Sequence, residues 1–130
     1  MVRKLLLLLT LCCGFAMAAD RVYEMRTYTC FPGKLEALKT RFKDHTIRIF
    51  KKHGMESVGY WVPMDDRKDT TLIYIISHAS REQADTNWKE FSADPEWKKV
   101  SADSETNAGG KIVQKVDRVW MQPTDFSMLK

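Results

Sequence analysis

The chain has 130 residues, a length that supports one domain. It carries 21 basic and 17 acidic residues, for a formal charge of +4, and 44% of its residues are hydrophobic. This balance is that of a globular protein and excludes a disordered chain or an integral membrane bundle. Three cysteines are too few for a disulfide framework or a four-cysteine zinc site.

The first 18 residues have the pattern of a secretory signal peptide. Arg3 and Lys4 precede an apolar stretch over residues 5–17, and Ala16 and Ala18 offer the small residues of a cleavage site. The apolar stretch is shorter than the roughly 20 residues that a membrane-spanning helix needs. We therefore expect cleavage after Ala18 and no stable membrane anchor, with a retained anchor as the alternative. The expected location is secreted or periplasmic, with a folded domain over residues 19–130.

Cleavage would leave a nearly charge-balanced chain with one thiol. It would remove two basic residues and two cysteines, Cys12 and Cys13, so that only Cys30 remains. A single thiol cannot form an internal disulfide. Cys30 is therefore either a small buried apolar group or available for an intermolecular bond.

The remaining pattern predicts four strands and two helices. β-favouring runs indicate strands over residues 21–28, 57–62, 70–76 and 111–121. Apolar residues at three- and four-residue spacing predict a helix over residues 34–53. Ser80 with Gln83 forms a capping box that opens a second helix, and Asp94 with Pro95 indicates that this helix stops and begins again.

The predicted order is β-α-β-β-α-β, the order of the ferredoxin-like α+β fold. In this fold the helices cover one face of a four-stranded antiparallel sheet. The other face then needs cover, and in a domain of this size a second copy is the expected source. The pattern therefore predicts a homodimer.

Six short motifs are spread along nearly the whole of the expected domain. They are Tyr23-Glu24-Met25-Arg26-Thr27-Tyr28, Pro32-Gly33-Lys34-Leu35, His53-Gly54, Gly59-Tyr60-Trp61, Asp94-Pro95-Glu96-Trp97 and Pro123-Thr124-Asp125-Phe126-Ser127. In their order and spacing these motifs resemble the NIPSNAP family. The resemblance implies a dimeric α+β barrel, in which two ferredoxin-like protomers pair their sheets.

The same resemblance implies a range of activities. The superfamily includes cofactor-free monooxygenases, haem-degrading enzymes and proteins without a known activity. Many relatives have a glycine and an asparagine in the hairpin between the middle strands. In this chain the hairpin spans residues 63–69, from Pro63 to Asp69, and contains neither residue type. No catalytic residue is carried over from the family.

His45 is the sharpest local candidate for a pocket-lining residue. It shares a stripe of the predicted helix with Leu35, Leu38, Phe42 and Ile49, and we expect this stripe to face the sheet. An imidazole in that position is either a core histidine bonded to a carbonyl or water, or an acid, a base or a ligand contact.

Three further candidates for a ligand pocket are Arg26, Tyr28 and Trp61. Arg26 and Tyr28 alternate with Glu24 on one strand face, which fits either an ion pair or an anion site at Arg26. Trp61 forms a set of aromatic residues with Tyr60, Tyr74 and Trp120. This set either packs in a core or interface, or lines a pocket.

The sequence favours no metal or cofactor. The three histidines lack the spacing of a zinc site, and the chain has no hydrolase, NTPase or dinucleotide-binding motif. A haem held by one histidine is the alternative. The basic residues of the first predicted helix are expected to form a solvated face rather than a nucleic-acid surface, with attraction to anionic lipid or envelope polymer as the alternative.

These observations predict an exported small-molecule-binding homodimer. A cofactor-free or haem-linked monooxygenase of the dimeric α+β barrel type is the first alternative, and a non-catalytic assembly module is the second. The sequence leaves open whether the protein is an enzyme.

Export gives a direct prediction. When the full chain is expressed in a bacterial host, protein recovered from the cell envelope or medium should begin at Ala19, as determined by intact-mass measurement and N-terminal sequencing. An intact Met1 on the exported protein would contradict cleavage.

Overall fold

The computed structural model describes residues 21–130, so the expected signal peptide lies outside the described residues. The strands are β1 (Val22–Cys30), β2 (Glu56–Trp61), β3 (Thr71–His78) and β4 (Val113–Met121). The first helix comprises α1 (Leu35–Arg41), a π-helical turn (Phe42–Thr46) and α2 (Ile47–Lys52). The second helical region comprises α3 (Arg81–Ala93) and α4 (Pro95–Asn107). The predicted element order is confirmed, including the break in the second helical region.

The four strands form one antiparallel sheet in the order β2-β3-β1-β4. Residue pairing across this sheet decides which side chains share a face. Arg26 of β1 lies opposite Tyr74 of β3 on one side and opposite Arg118 of β4 on the other. The fold is therefore the ferredoxin-like α+β fold, with helices against the face that carries these residues.

The first helix buries the stripe that the sequence predicts, including Ile49, except at His45. Leu35, Leu38 and Phe42 are buried as expected, but Thr46 is buried and His45 is exposed. The π-helical turn explains the difference, because its wider winding shifts the inward position by one residue. The hydroxyl of Thr46 donates to the carbonyl oxygen of Arg41 at 3.2 Å, within this turn. The expectation that His45 faces the sheet is therefore wrong.

Asp94 joins the two helical regions. It ends α3 and caps α4, where its carboxylate accepts from the amide of Glu96 at 2.8 Å. The same carboxylate lies 2.7 Å from Lys52 Nζ and 2.7 Å from His53 Nε2, at the end of the first helix. Hydrogen bonds from Lys52, His53 and the Glu96 amide hold the pKa of Asp94 well below its usual range. This carboxylate therefore fixes the start of α4 against the end of α2.

Aromatic and aliphatic side chains fill the space between the helices and the sheet. Phe42, Phe50 and Tyr74 pack against one another at its centre, with ring centroids 5.0–5.9 Å apart. Cys30 belongs to this core, and burial raises the pKa of its thiol. Of the two alternatives for Cys30, the structure supports the small buried group.

The opposite face of the sheet carries several apolar side chains and is only partly covered. Val119 and Trp61 are 48% and 49% exposed there, and Met25 and Ile75 are half-buried. The C-terminal segment crosses one end of this face, where Tyr23 donates to the carbonyl oxygen of Lys130 at 3.0 Å. None of the helices within residues 21–130 is long and apolar enough to cross a membrane.

Candidate functional site

The helices leave one strip of their own side of the sheet open. Along β4 the side chains from Gln114 to Val119 are exposed, and Val116 is 42% exposed although it points to the helix side. Register places Val116 opposite Tyr28, Arg118 opposite Arg26 and Trp120 opposite Glu24. We name this strip the arginine trough. Its lining residues are Arg26, Tyr28, Val116, Arg118 and Trp120, and Trp88 of α3 forms one wall.

A buried carboxylate lies at the foot of the arginine trough. Glu24 is fully buried, and its Oε2 accepts hydrogen bonds from Trp88 Nε1 at 2.7 Å and is 3.1 Å from His78 Nε2. Arg26 Nη1 is 3.5 Å from the other carboxylate oxygen. Glu24 therefore ties β1 to β3 through His78 and to α3 through Trp88.

Asn87 of α3 completes the surroundings of His78. In the amide orientation that satisfies its neighbours, Asn87 Oδ1 accepts from His78 Nδ1 at 3.2 Å. Its nitrogen then donates to the carbonyl oxygens of His53 at 3.0 Å and Gln83 at 3.2 Å. Both ring nitrogens of His78 are therefore engaged, with Nε2 facing the Glu24 carboxylate.

Four buried polar atoms on the helix side of the sheet have no hydrogen-bond partner among residues 21–130. They are Glu24 Oε1, Arg26 Nε, Arg41 Nε and the Tyr74 hydroxyl oxygen. Because burial disfavours the charged form, it raises the pKa of Tyr74 well above its usual value and lowers that of Arg41. Buried polar groups are almost always paired in native proteins, so the two unpaired atoms of the Glu24–Arg26 pair point to a functional site.

Aromatic rings hold the arginines of the site in place. The Arg26 guanidinium lies 4.0 Å from the Trp88 ring centroid and 5.6 Å from that of Tyr28. Arg81 of α3 lies 4.0 Å from the Trp120 ring centroid. A guanidinium stacked in this way keeps the N–H groups at its edge available for a planar acceptor.

The structure brings together two of the four sequence-predicted site residues. Arg26 and Tyr28 share the arginine trough. Trp61 lies on the opposite face of the sheet, and its ring packs over Gly59. A Cβ added at Gly59 would lie 2.6 Å from the Trp61 ring. His45 lines a separate groove of about 620 Å³ between the first helix and α4.

The sequence analysis missed His78, Asn87, Trp88 and Arg118 as site residues. His78 and Arg118 follow the two-residue alternation of their strands, so register with β1 would place them on its functional face. For these two residues, alternation gives the face within their own strand, but the strand pairing is needed to place that face next to β1. Asn87 and Trp88 depend on how α3 docks, which strand alternation does not specify.

The histidines do not fit a haem site. Asn87 and Glu24 engage both nitrogens of His78, and Asp94 lies 2.7 Å from His53 Nε2. His45 is free, but charged side chains surround it, whereas cofactor sites are mostly apolar. Within the described part of the chain no group of three or more histidine, cysteine, aspartate or glutamate residues could hold a metal ion.

The strand order and helix placement define a protein of the ferredoxin-like α+β fold. The family profile described as NIPSNAP matches residues 23–128. The chain therefore belongs to the NIPSNAP family. A comparison with curated proteins gives no match.

Solved structures share this fold. A NIPSNAP family protein with unknown function from Agrobacterium tumefaciens is 24% identical over 86% of this chain and 96% of that chain, with a TM-score of 0.72. A monooxygenase from the gene ActVA-Orf6 of Streptomyces coelicolor, in complex with the ligand Nanaomycin D, is 15% identical over 86% and 95%, with a TM-score of 0.58. SnoaB of Streptomyces nogalater, a cofactor-independent oxygenase, is 14% identical over 85% and 98%, with a TM-score of 0.51.

The buried ion pair predicts a large effect of Glu24→Gln on stability. The glutamine keeps the shape of the side chain but leaves Arg26 without its carboxylate, which should lower the free energy of unfolding by about 3–5 kcal/mol in urea titrations. Glu56→Gln on exposed β2 is the matched control and should change it by less than about 0.5 kcal/mol. Adding Arg26→Met to Glu24→Gln should restore part of the loss. A loss no larger than that of the control would contradict the role assigned to Glu24.

Proposed function

We propose that this NIPSNAP family member is an exported homodimer that binds a small molecule in the arginine trough. The observation that carries the proposal is that buried Glu24 Oε1 and Arg26 Nε, beside an open strip of sheet, have no partner among residues 21–130. A ligand entering over β4 would meet exposed Arg118 first and then Arg26, whose side chain is 14% exposed, while Glu24 is fully buried.

The trough has the composition of a small-molecule site. Trp88 and Trp120 line it with aromatic rings on which the Arg26 and Arg81 guanidinium groups stack, and a small number of polar groups converge there. Glu24 and His78 cannot themselves move freely, because Trp88 and Asn87 hold them. Such preorganised polar groups favour binding because little ordering remains to be done.

Homodimer formation is supported by the apolar face opposite the helices. Half-exposed apolar side chains such as Val119 and Trp61 lie on that face, and exposed apolar surface of this kind marks a protein interface. Pairing two such faces would create the barrel that gives this fold class its name. The arginine trough lies on the other side of the sheet and would stay open in that arrangement.

A cofactor-free oxygenase is the second candidate function. It is favoured by the buried Glu24–His78 pair, which could accept a proton from a phenolic substrate, and by the fold shared with SnoaB. In such a reaction the substrate supplies the electrons: a phenol and O₂ give a quinone and water. Oxygen uptake with hydroquinones or naphthols, without added metal or reductant, would support this candidate, and its absence would leave a binding protein.

Dimer formation can be tested on β4 with two matched substitutions. Val119→Glu places a charge on the open face and should convert a dimer into a monomer in light scattering at micromolar concentration. Val116→Glu places the same charge on the same strand, toward the helix side, and should leave the dimer intact. A monomeric unsubstituted protein, or equal effects of the two variants, would contradict pairing through the open face.

Ligand binding can be tested with tryptophan variants on opposite faces of the sheet. Native mass spectrometry of the purified protein, screened against small aromatic molecules, should detect a bound species, and Trp120→Leu should weaken its binding by about tenfold or more. Trp61→Leu should change it by less than about twofold, with the oligomeric state checked by light scattering. Equal effects of the two variants would place the ligand outside the arginine trough.

A further inference from the structure

We infer that the arginine trough selects a planar aromatic carboxylate, which Arg26 and Arg118 hold between them. This inference rests on the proposed small-molecule site and names the chemical class of its ligand. It is carried by the charge distribution of the trough, the free donors of its arginines and the aromatic surfaces beside them.

The two arginines are direct cross-strand neighbours of the same charge. Arg26 of β1 and Arg118 of β4 form a register pair, so their side chains leave the sheet on the same side. Like charges in this position destabilise a sheet. An anion bound between them would convert this repulsion into two attractive contacts.

The chain itself supplies little negative charge to offset the pair. Arg26 has Glu24 at 3.5 Å, but the Glu24 carboxylate also serves His78 and Trp88. Arg118 has no ion pair with any residue in the described range 21–130. The one acid on β4, Asp117, points to the opposite face and pairs with Lys115.

The arginines that neighbouring elements bring to the trough have acidic neighbours of their own and do not offset the Arg26–Arg118 pair. Arg81 of α3 stacks on Trp120 and is paired with Asp85. Arg41 of α1 is buried beyond Tyr28, and Glu105 of α4 is its acidic neighbour. His78 of β3 lies beneath Trp120, with a ring-centroid distance of 5.7 Å. Across the whole site, guanidinium groups outnumber carboxylates.

The free donors indicate a flat acceptor with two oxygens. Arg26 Nε is buried and has no partner within the described residues, although its guanidinium face is covered by Trp88. A guanidinium edge binds a carboxylate through two parallel hydrogen bonds. The cation–aromatic stacks of Arg26 on Trp88 and of Arg81 on Trp120 line the same side of the sheet, and such stacks favour a planar aromatic body next to that carboxylate over a small inorganic anion.

Two probes of equal shape test the inference: 2-naphthoate, which is anionic, and 2-naphthamide, which is neutral. Binding to the purified full-length gene product is measured by quenching of tryptophan fluorescence and by calorimetry. The unsubstituted protein should bind 2-naphthoate about tenfold or more tightly than 2-naphthamide. Arg118→Gln should remove this preference, whereas Lys115→Gln, which makes the same charge change on the opposite face of β4, should preserve it.

Stability without ligand gives an independent measurement. Because Arg118→Gln removes a like-charge contact, it should raise Tm by about 1–5 °C in the ligand-free protein. Lys115→Gln loses a contact with Asp117 and should leave Tm unchanged or slightly lower. A fall in Tm on Arg118→Gln would contradict the repulsion on which the inference depends.

The remaining outcomes separate this inference from the proposed function. Equal binding of both probes, still weakened by Trp120→Leu, would overturn the carboxylate class and leave the small-molecule site in place. Full competition by millimolar inorganic phosphate would also overturn it, since the site would then recognise anions in general. Equal effects of Arg118→Gln and Lys115→Gln would indicate long-range charge alone and would overturn it as well. If neither probe binds and the native mass spectrometry screen also finds no ligand, both proposals fail.

Discussion

The buried Glu24 carboxylate is the interaction on which the rest of the site depends. It is one of the few charged groups that the fold removes completely from water, and removing a charge from water costs several kcal/mol unless partners compensate. Its partners come from three different elements: Arg26 from β1, His78 from β3 and Trp88 from α3. The carboxylate therefore fixes how α3 docks on the sheet, and the same docking leaves β4 uncovered beside it.

Hydrophobic packing and the polar site divide the helix side of the sheet between them. Over β2 and β3, the first helix buries Phe42, Phe50 and Tyr74 in a continuous aromatic core. Toward β4 the core gives way to arginines and unpaired polar atoms. Replacing apolar side chains by arginines and unpaired polar atoms does not stabilise the packing of the fold. Ligand binding therefore explains the polar edge better than stability does.

Strand and helix order could be predicted from the sequence, because periodicity, capping residues and turn residues all act over short distances. The capping box at Ser80 and the helix start at Asp94 are examples, and both are confirmed by hydrogen bonds to the expected amides. The face presented by His45 could not be predicted, because a single π-helical turn changes the helical phase and leaves no clear mark in the sequence. Likewise, Arg26 and Tyr28 are recognisable from alternation alone, but Arg118 becomes their neighbour only through strand pairing.

The pairing of Arg26 with Arg118 shows how a stability cost can mark a function. A glutamine or glutamate at position 118 would suit the sheet better, since β4 is exposed there and tolerates many side chains. An arginine in its place raises the positive potential next to Arg26 Nε, a donor without a partner among residues 21–130. Because the repulsion is present only while the trough is empty, relieving it adds to the favourable free energy of binding an anion. An unfavourable contact in the free protein thus becomes a source of selectivity between charged and neutral ligands of the same shape.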